Sequence, residues 1–136
     1  MGSCRNPEKP VLKGVSLEEA KRLKLEELAA ARWKAEEAGV EVQGLHIATD
    51  ERSQSKITGA ALQATIDPNY VCRWKTETGF IDLTAPLILG AATAVRQYVQ
   101  SCFDREAALA ELVAGASTIE EVAAVSWGME IPNAER

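Results

Sequence analysis

Residues 40–50 read V-E-V-Q-G-L-H-I-A-T-D, and residues 71–84 read V-C-R-W-K-T-E-T-G-F-I-D-L-T. Each is a short apolar–polar alternation, a Gly-containing turn, a second alternation and then a residue suited to capping a helix. Period-2 alternation puts every second side chain on one face of a strand, so each stretch predicts a two-stranded hairpin. With Gln43-Gly44 as a two-residue turn, Val42 faces Leu45 and Val40 faces Ile47, and all four share one face. Glu41 and His46 then face each other on the opposite side. In the second stretch, turn parity decides the outcome. A three-residue loop mixes polar and apolar residues on both faces. An even loop within Thr76–Gly79 pairs Trp74 with Ile81 and Cys72 with Leu83, leaving Arg73, Lys75 and Phe80 on the other face. There the aliphatic stem of Lys75 covers the Phe80 ring.

Helices are expected around these hairpins. Ser16-Leu17-Glu18-Glu19 forms a capping box, and the helix it opens is expected to run to Ala38, with Gly39 as a left-handed cap. At 100° per residue, Leu17, Leu25, Leu28, Ala29, Trp33 and Ala35 fall on one side, with Trp33 at the edge of the core. Thr49 or Asp50 caps a second helix over about 51–66, where Ile57, Ala61 and Ala64 or Thr65 form the apolar line. Gly59 inside it implies a kink or the close approach of another backbone. Thr84 caps a long third helix over about 85–113, with Pro86 in its first turn, where no N–H is needed. On it Ile88, Ala92, Val95, Val99, Cys102, Glu106, Leu109 and Val113 recur at alternating steps of four and three. This heptad-like seam has one polar interruption, Glu106. Such a helix spans roughly 40 Å. The seam is either the internal spine of the domain or an interface between chains. Gly115 ends the helix, and Ser117 or Thr118 caps a short last one ending near Ala124. Trp127 then either docks back on the core or is offered to a partner.

The fold class is therefore α+β: helix, hairpin, helix, hairpin, long helix, short helix, with the hairpins packed on helices. The chain of 136 residues divides into an N-terminal arm (1–15), a single domain (16–128) and a polar C-terminal tail (129–136). Hydrophobic residues make up 46% and aromatic ones only 5%, so the core is built mainly of Ala, Leu, Val and Ile.

Composition narrows function. The net charge is −5. Positive charge gathers only in the arm (Arg5, Lys9, Lys13), and no basic patch suited to phosphate contacts is evident, which argues against nucleic-acid binding. No apolar run approaches the length of a membrane span, and the N-terminus has no signal-peptide core. Cys4, Cys72 and Cys102 lie far apart without metal-ligand spacing and read as thiols of a reducing compartment; Cys102 is expected to be packed, not reactive. His46, the only histidine, has no nucleophile or orienting partner visible in sequence. Phosphate-loop, dinucleotide, nucleophile-elbow and zinc-protease motifs do not occur. No catalytic, cofactor-binding or metal-binding residue is assigned, and no enzymatic activity is expected. An enzyme would need a pocket gathering His46 with acids.

Several motifs occur together: R-W-x-x-E (32–36), I-A-T-D-x-x-S-Q (47–54), W-K-T-x-x-G-F (74–80), A-V-R-x-x-V-Q-x-C-F-D-R-E (94–106) and T-I-E-E-V-A-A-V-S-W (118–127). In this combination, residues 25–127 resemble a domain family of unknown function encoded in tail gene clusters of bacteriophages and prophages. Its members are often labelled tail or tail fibre assembly proteins. The resemblance implies a non-enzymatic protein that assists fibre assembly or joins the tail, located in the bacterial host cytoplasm or in the virion tail. Its expected partner is a tail or tail-fibre protein. A homo-oligomer through the long helix is a further expectation, with Ile88, Val95, Val99, Cys102 and Trp127 as the candidate interaction residues. The alternative reading is a small prophage-encoded binding or regulatory module acting on a host protein.

Overall fold

A computed structural model describes residues 14–132. The elements run α1 (Leu17–Glu36), β1 (Val40–Val42), β2 (Leu45–Ile47), α2 (Glu51–Ile66), β3 (Val71–Thr76), β4 (Gly79–Thr84), α3 (Ala85–Gly115) and α4 (Ile119–Ala123). This is the expected α+β order. The arm at 1–13 and the tail residues 133–136 lie outside the described residues. The described residues form two compact units, one holding residues 33–103 and the other residues 14–32 and 104–132.

In the unit of residues 33–103, both hairpins take the register that parity dictates. Val40 pairs with Ile47, Glu41 with His46 and Val42 with Leu45. Gln43 and Gly44 both have positive φ, 51° and 80°, as the tight turn between twisted strands requires. In the second hairpin Cys72 pairs with Leu83 and Trp74 with Ile81 across a two-residue turn, Glu77-Thr78. Thr76 shapes this turn: its hydroxyl donates to the Gly79 carbonyl (2.7 Å) and accepts from the Thr78 N–H (3.2 Å).

The inward faces of the hairpins meet α2 and the first part of α3. Ile47, Ile57, Ala60, Ala64, Leu83, Ile88, Ala91 and Val95 form one buried cluster, with Trp74, Ile81 and Val99 packed against it. On α2 the fully buried line is Ile57, Ala60 and Ala64; Ala61 is partly buried and packs against the same cluster, and Thr65 is exposed. The Thr65 hydroxyl turns back to donate to the Ala61 carbonyl (2.9 Å). Gly59 is open on its outer side, since a Cβ there would meet nothing within 4 Å. Close approach of a backbone therefore does not explain it.

The run T-D-x-x-S-Q at 49–54 resolves into a local lock, in which Thr49 is fully buried. Its hydroxyl donates to the Glu36 carbonyl (2.6 Å) and accepts from the Gly39 N–H (2.8 Å), closing the frayed end of α1. Asp50 caps α2, accepting from the Ser53 hydroxyl (2.6 Å) and, at longer range, from its N–H (3.4 Å). The Gln54 amide donates to the Thr49 carbonyl (2.8 Å). Gly39 has φ +88°, and the His46 ring lies directly over its Cα, where a Cβ would sit 2.3 Å from the imidazole. The backbone at this position therefore favours glycine, and a Cβ would also push the His46 ring aside. The Tyr98 hydroxyl donates to the Ala35 carbonyl. Burial, with the Cys102 thiol as a smaller cause, raises its pKa above the ordinary tyrosine value.

In the other unit, Leu28 of α1 packs with Leu109 and Val113 of α3 and with Val125; Trp127, Met129 and Ile131 rest against this cluster. Burying a leucine such as Leu28 contributes about 2 kcal/mol. Residues 129–131 are therefore not simply a polar tail. Arg105 fixes the segment, its Nε donating to the Trp127 carbonyl (2.6 Å) and its terminal nitrogen to the Met129 carbonyl. The guanidinium also lies 5.6 Å from the centre of the indole ring. Glu106, the polar interruption of the seam, accepts from Arg32 Nε (2.9 Å) at a partly buried position.

The buried face of α1 differs from the expected stripe. Ala20 and Leu28 are buried, whereas Leu25 is 42% and Trp33 56% exposed. Lys21 and Lys24 sit on the inward side and snorkel. Their ammonium groups donate to the carbonyls of Ala114 (2.9 Å) and Val125 (2.7 Å), in the last turn of α3 and just beyond α4. A cation there satisfies terminal carbonyls and opposes the negative end of a helix. The Glu19 N–H donates to the Ser16 hydroxyl (3.0 Å), as a capping box requires. The Glu19 carboxylate turns instead to Arg22, which holds its pKa below the ordinary value.

Candidate protein-binding groove

The interaction residues named from sequence fall at different depths. Ile88 and Val95 lie in the core of the 33–103 unit at 0% and 4% exposure, and Val99 packs against it. Cys102 is also buried. These positions pack within the chain, as the internal-spine reading of the seam has it. The heptad spacing arises because α3 faces its own chain's hairpins and helices along its length. Trp127 packs on the other unit's core and is held by Arg105. It takes the docked role, not that of an anchor offered to a partner.

The open feature of the 33–103 unit is a groove of about 910 Å³ beside β3. Its walls come from His46 on β2, Lys56 and Gly59 on α2, and Tyr70 with the whole run 72–77 of β3 and its turn. Consecutive strand residues point to opposite faces. A groove touching six in a row therefore follows the edge of the strand, and Phe80 of β4 in its lining shows that it also reaches over the Arg73–Lys75 face. Among the described residues β3 pairs with β4 alone, so this edge is unpaired.

Polarity along the groove is uneven. Lys56, Arg73 and Lys75 line it against one acid, Glu77, in a chain whose net charge is −5. Arg73 pairs with its cross-strand neighbour Asp82 (3.5 Å), but both side chains are well exposed, and such a pair contributes about 0–1 kcal/mol. The Lys75 ammonium lies 5.9 Å from the centre of the Phe80 ring, so its charged end, as well as its stem, covers the ring. The neighbouring Cys72 thiol pushes the Tyr70 hydroxyl above its ordinary pKa. His46 reaches the groove, where Glu77 is the one acid in the lining. Among the described residues no three His, Cys, Asp or Glu side chains gather as metal donors. No helix among them is long and apolar enough to cross a membrane.

Sequence reading places Arg73, Lys75 and Phe80 on the outer face of the hairpin but misses the groove. Lys56 and Tyr70 carry no motif. Tyr70 directly precedes β3, whereas Lys56 comes beside the strand because α2 packs Ile57 and Ala60 inward, which turns Lys56 and Gly59 toward its edge.

No curated protein and no solved structure matches the chain. The family model described as "Domain of unknown function (DUF4376)" matches residues 19–126, spanning α1 to the end of α4. The chain belongs to this DUF4376 family.

Proposed function

We propose that this protein is a non-enzymatic component of a phage or prophage tail system, assisting fibre assembly or joining the tail through protein–protein contacts. The observation that carries this reading is the use to which the motif residues are put. Thr49 and Asp50 lock and cap, Gly79 turns, and Val95 and Val125 fill cores. The residues by which the chain resembles tail-cluster proteins thus maintain a scaffold. The feature left over is a strand edge with a groove, a shape suited to polypeptide. The assembly role has a direct test. The tagged protein is purified from cells producing the phage, and its partners, together with the finished particles, are analysed by mass spectrometry. A tail or fibre protein among the partners is the expected result. Presence in the particles identifies a tail component, and absence from them an assembly factor. Host proteins as the sole partners would overturn the tail assignment.

A further inference from the structure

We propose that the free edge of β3 binds an extended acidic segment of a partner protein as a third strand of the β3–β4 sheet. The inference rests on the reading of this protein as one that acts through protein contacts, and it names the surface and the chemistry of the partner.

Three observations converge. The first is the edge itself. A two-residue turn makes Thr76 and Gly79 the first hydrogen-bonded pair of the hairpin, and bonding alternates from there. The N–H and C=O groups of Val71, Arg73 and Lys75 therefore face away from β4. The second is the groove, which follows that edge from Cys72 to Glu77 and is open over Gly59. An added strand needs such a channel, with space for side chains on both of its faces. The third is charge. The side chains of Arg73 and Lys75 project from one face of β3, and Lys56 stands on the α2 wall. A strand laid along the edge presents every second residue beside Arg73 and Lys75, and carboxylates at those positions are complementary. The intervening residues fall on the Trp74 side, where apolar side chains fit. Arg73 and Lys75 also disfavour a second copy of this chain as the occupant, because antiparallel pairing of two β3 edges brings like charges together.

The test is selection of a random nine-residue peptide library displayed on particles against the full-length protein. Enriched peptides are then synthesised and their binding measured by fluorescence anisotropy. The expected peptides carry Asp or Glu at alternate positions. Their affinity falls about tenfold or more with Lys75→Glu or Arg73→Glu, two exposed changes whose folding is checked by circular dichroism. It falls similarly when alternate peptide amides are N-methylated, which removes strand pairing and keeps the charge. Failure to enrich acidic peptides would overturn the proposal. So would acidic peptides indifferent to both the charge reversals and N-methylation, or a dimer that Lys75→Glu dissociates. Failure here with a tail partner still captured would remove the β3 edge and leave the tail assignment standing. Peptide binding with only host partners captured would do the reverse.

Discussion

Thr49 shows how one hydroxyl joins two elements. It is fully buried, and it serves the Glu36 carbonyl and the Gly39 N–H at once. Replacing it with Val keeps the shape and strands both backbone groups, so Thr49→Val is expected to lower stability by about 1–3 kcal/mol in urea unfolding. Thr49→Ser, which keeps the hydroxyl, should recover most of that loss. Next to it, Asp50 has a pKa below the ordinary aspartate value, first because the Ser53 hydroxyl bonds its carboxylate. A depressed carboxylate contributes stability that is fully present above its unfolded pKa, near 3.9, and is lost as pH falls through the folded value. Asp50→Asn should therefore flatten the pH dependence of stability below about pH 4 and leave the slope at neutral pH unchanged. An unchanged acid limb would count against the cap.

At the scale of elements, strands were easier to read than helix faces. Parity alone separates the possible turns of 71–84, since one slipped residue moves Trp74 and Leu83 to the wrong face. The same argument set the Val40–Ile47 register. On α1 hydropathy misleads, because Lys21 and Lys24 occupy inward positions through their stems while Leu25 and Trp33 face solvent. The capping role of those ammonium groups depends on where α3 and α4 end, information held roughly ninety residues away in the chain. The groove was hidden for the same reason, being made by α2 and β3 together. Sequence leaves Trp127 either docked on the core or offered to a partner; in the fold Arg105 holds the Trp127 and Met129 carbonyls and lies against the indole. Arg105→Ala is expected to release Trp127, seen as greater acrylamide quenching of its fluorescence, and to cost about 1–3 kcal/mol. A Trp33→Phe, Trp74→Phe background isolates that signal.

For the whole molecule, α3 is the element that enters both cores, giving Ile88 and Val95 to one and Leu109 and Val113 to the other. The 4-3 periodicity that suggested a coiled coil is thereby used up inside the chain. Val95→Glu places a charge at a position 4% exposed, where it has no partner. The expected outcome is loss of the helical circular dichroism signal and of cooperative unfolding. A smaller folded species in light scattering would instead place the seam between chains. With the seam internal, recognition falls to surfaces such as the β3 edge, where the lysines that line the groove supply reactive groups for mapping it.

The most direct test of the β3 edge is zero-length carbodiimide cross-linking of the protein with whichever partner protein co-purifies with it, followed by mass spectrometry. Amide links from Lys56 and Lys75 to acidic residues of one extended segment of the partner are the expected result. Links confined to lysines away from the groove, such as Lys21 or Lys34, or links reaching no extended acidic segment, would contradict it.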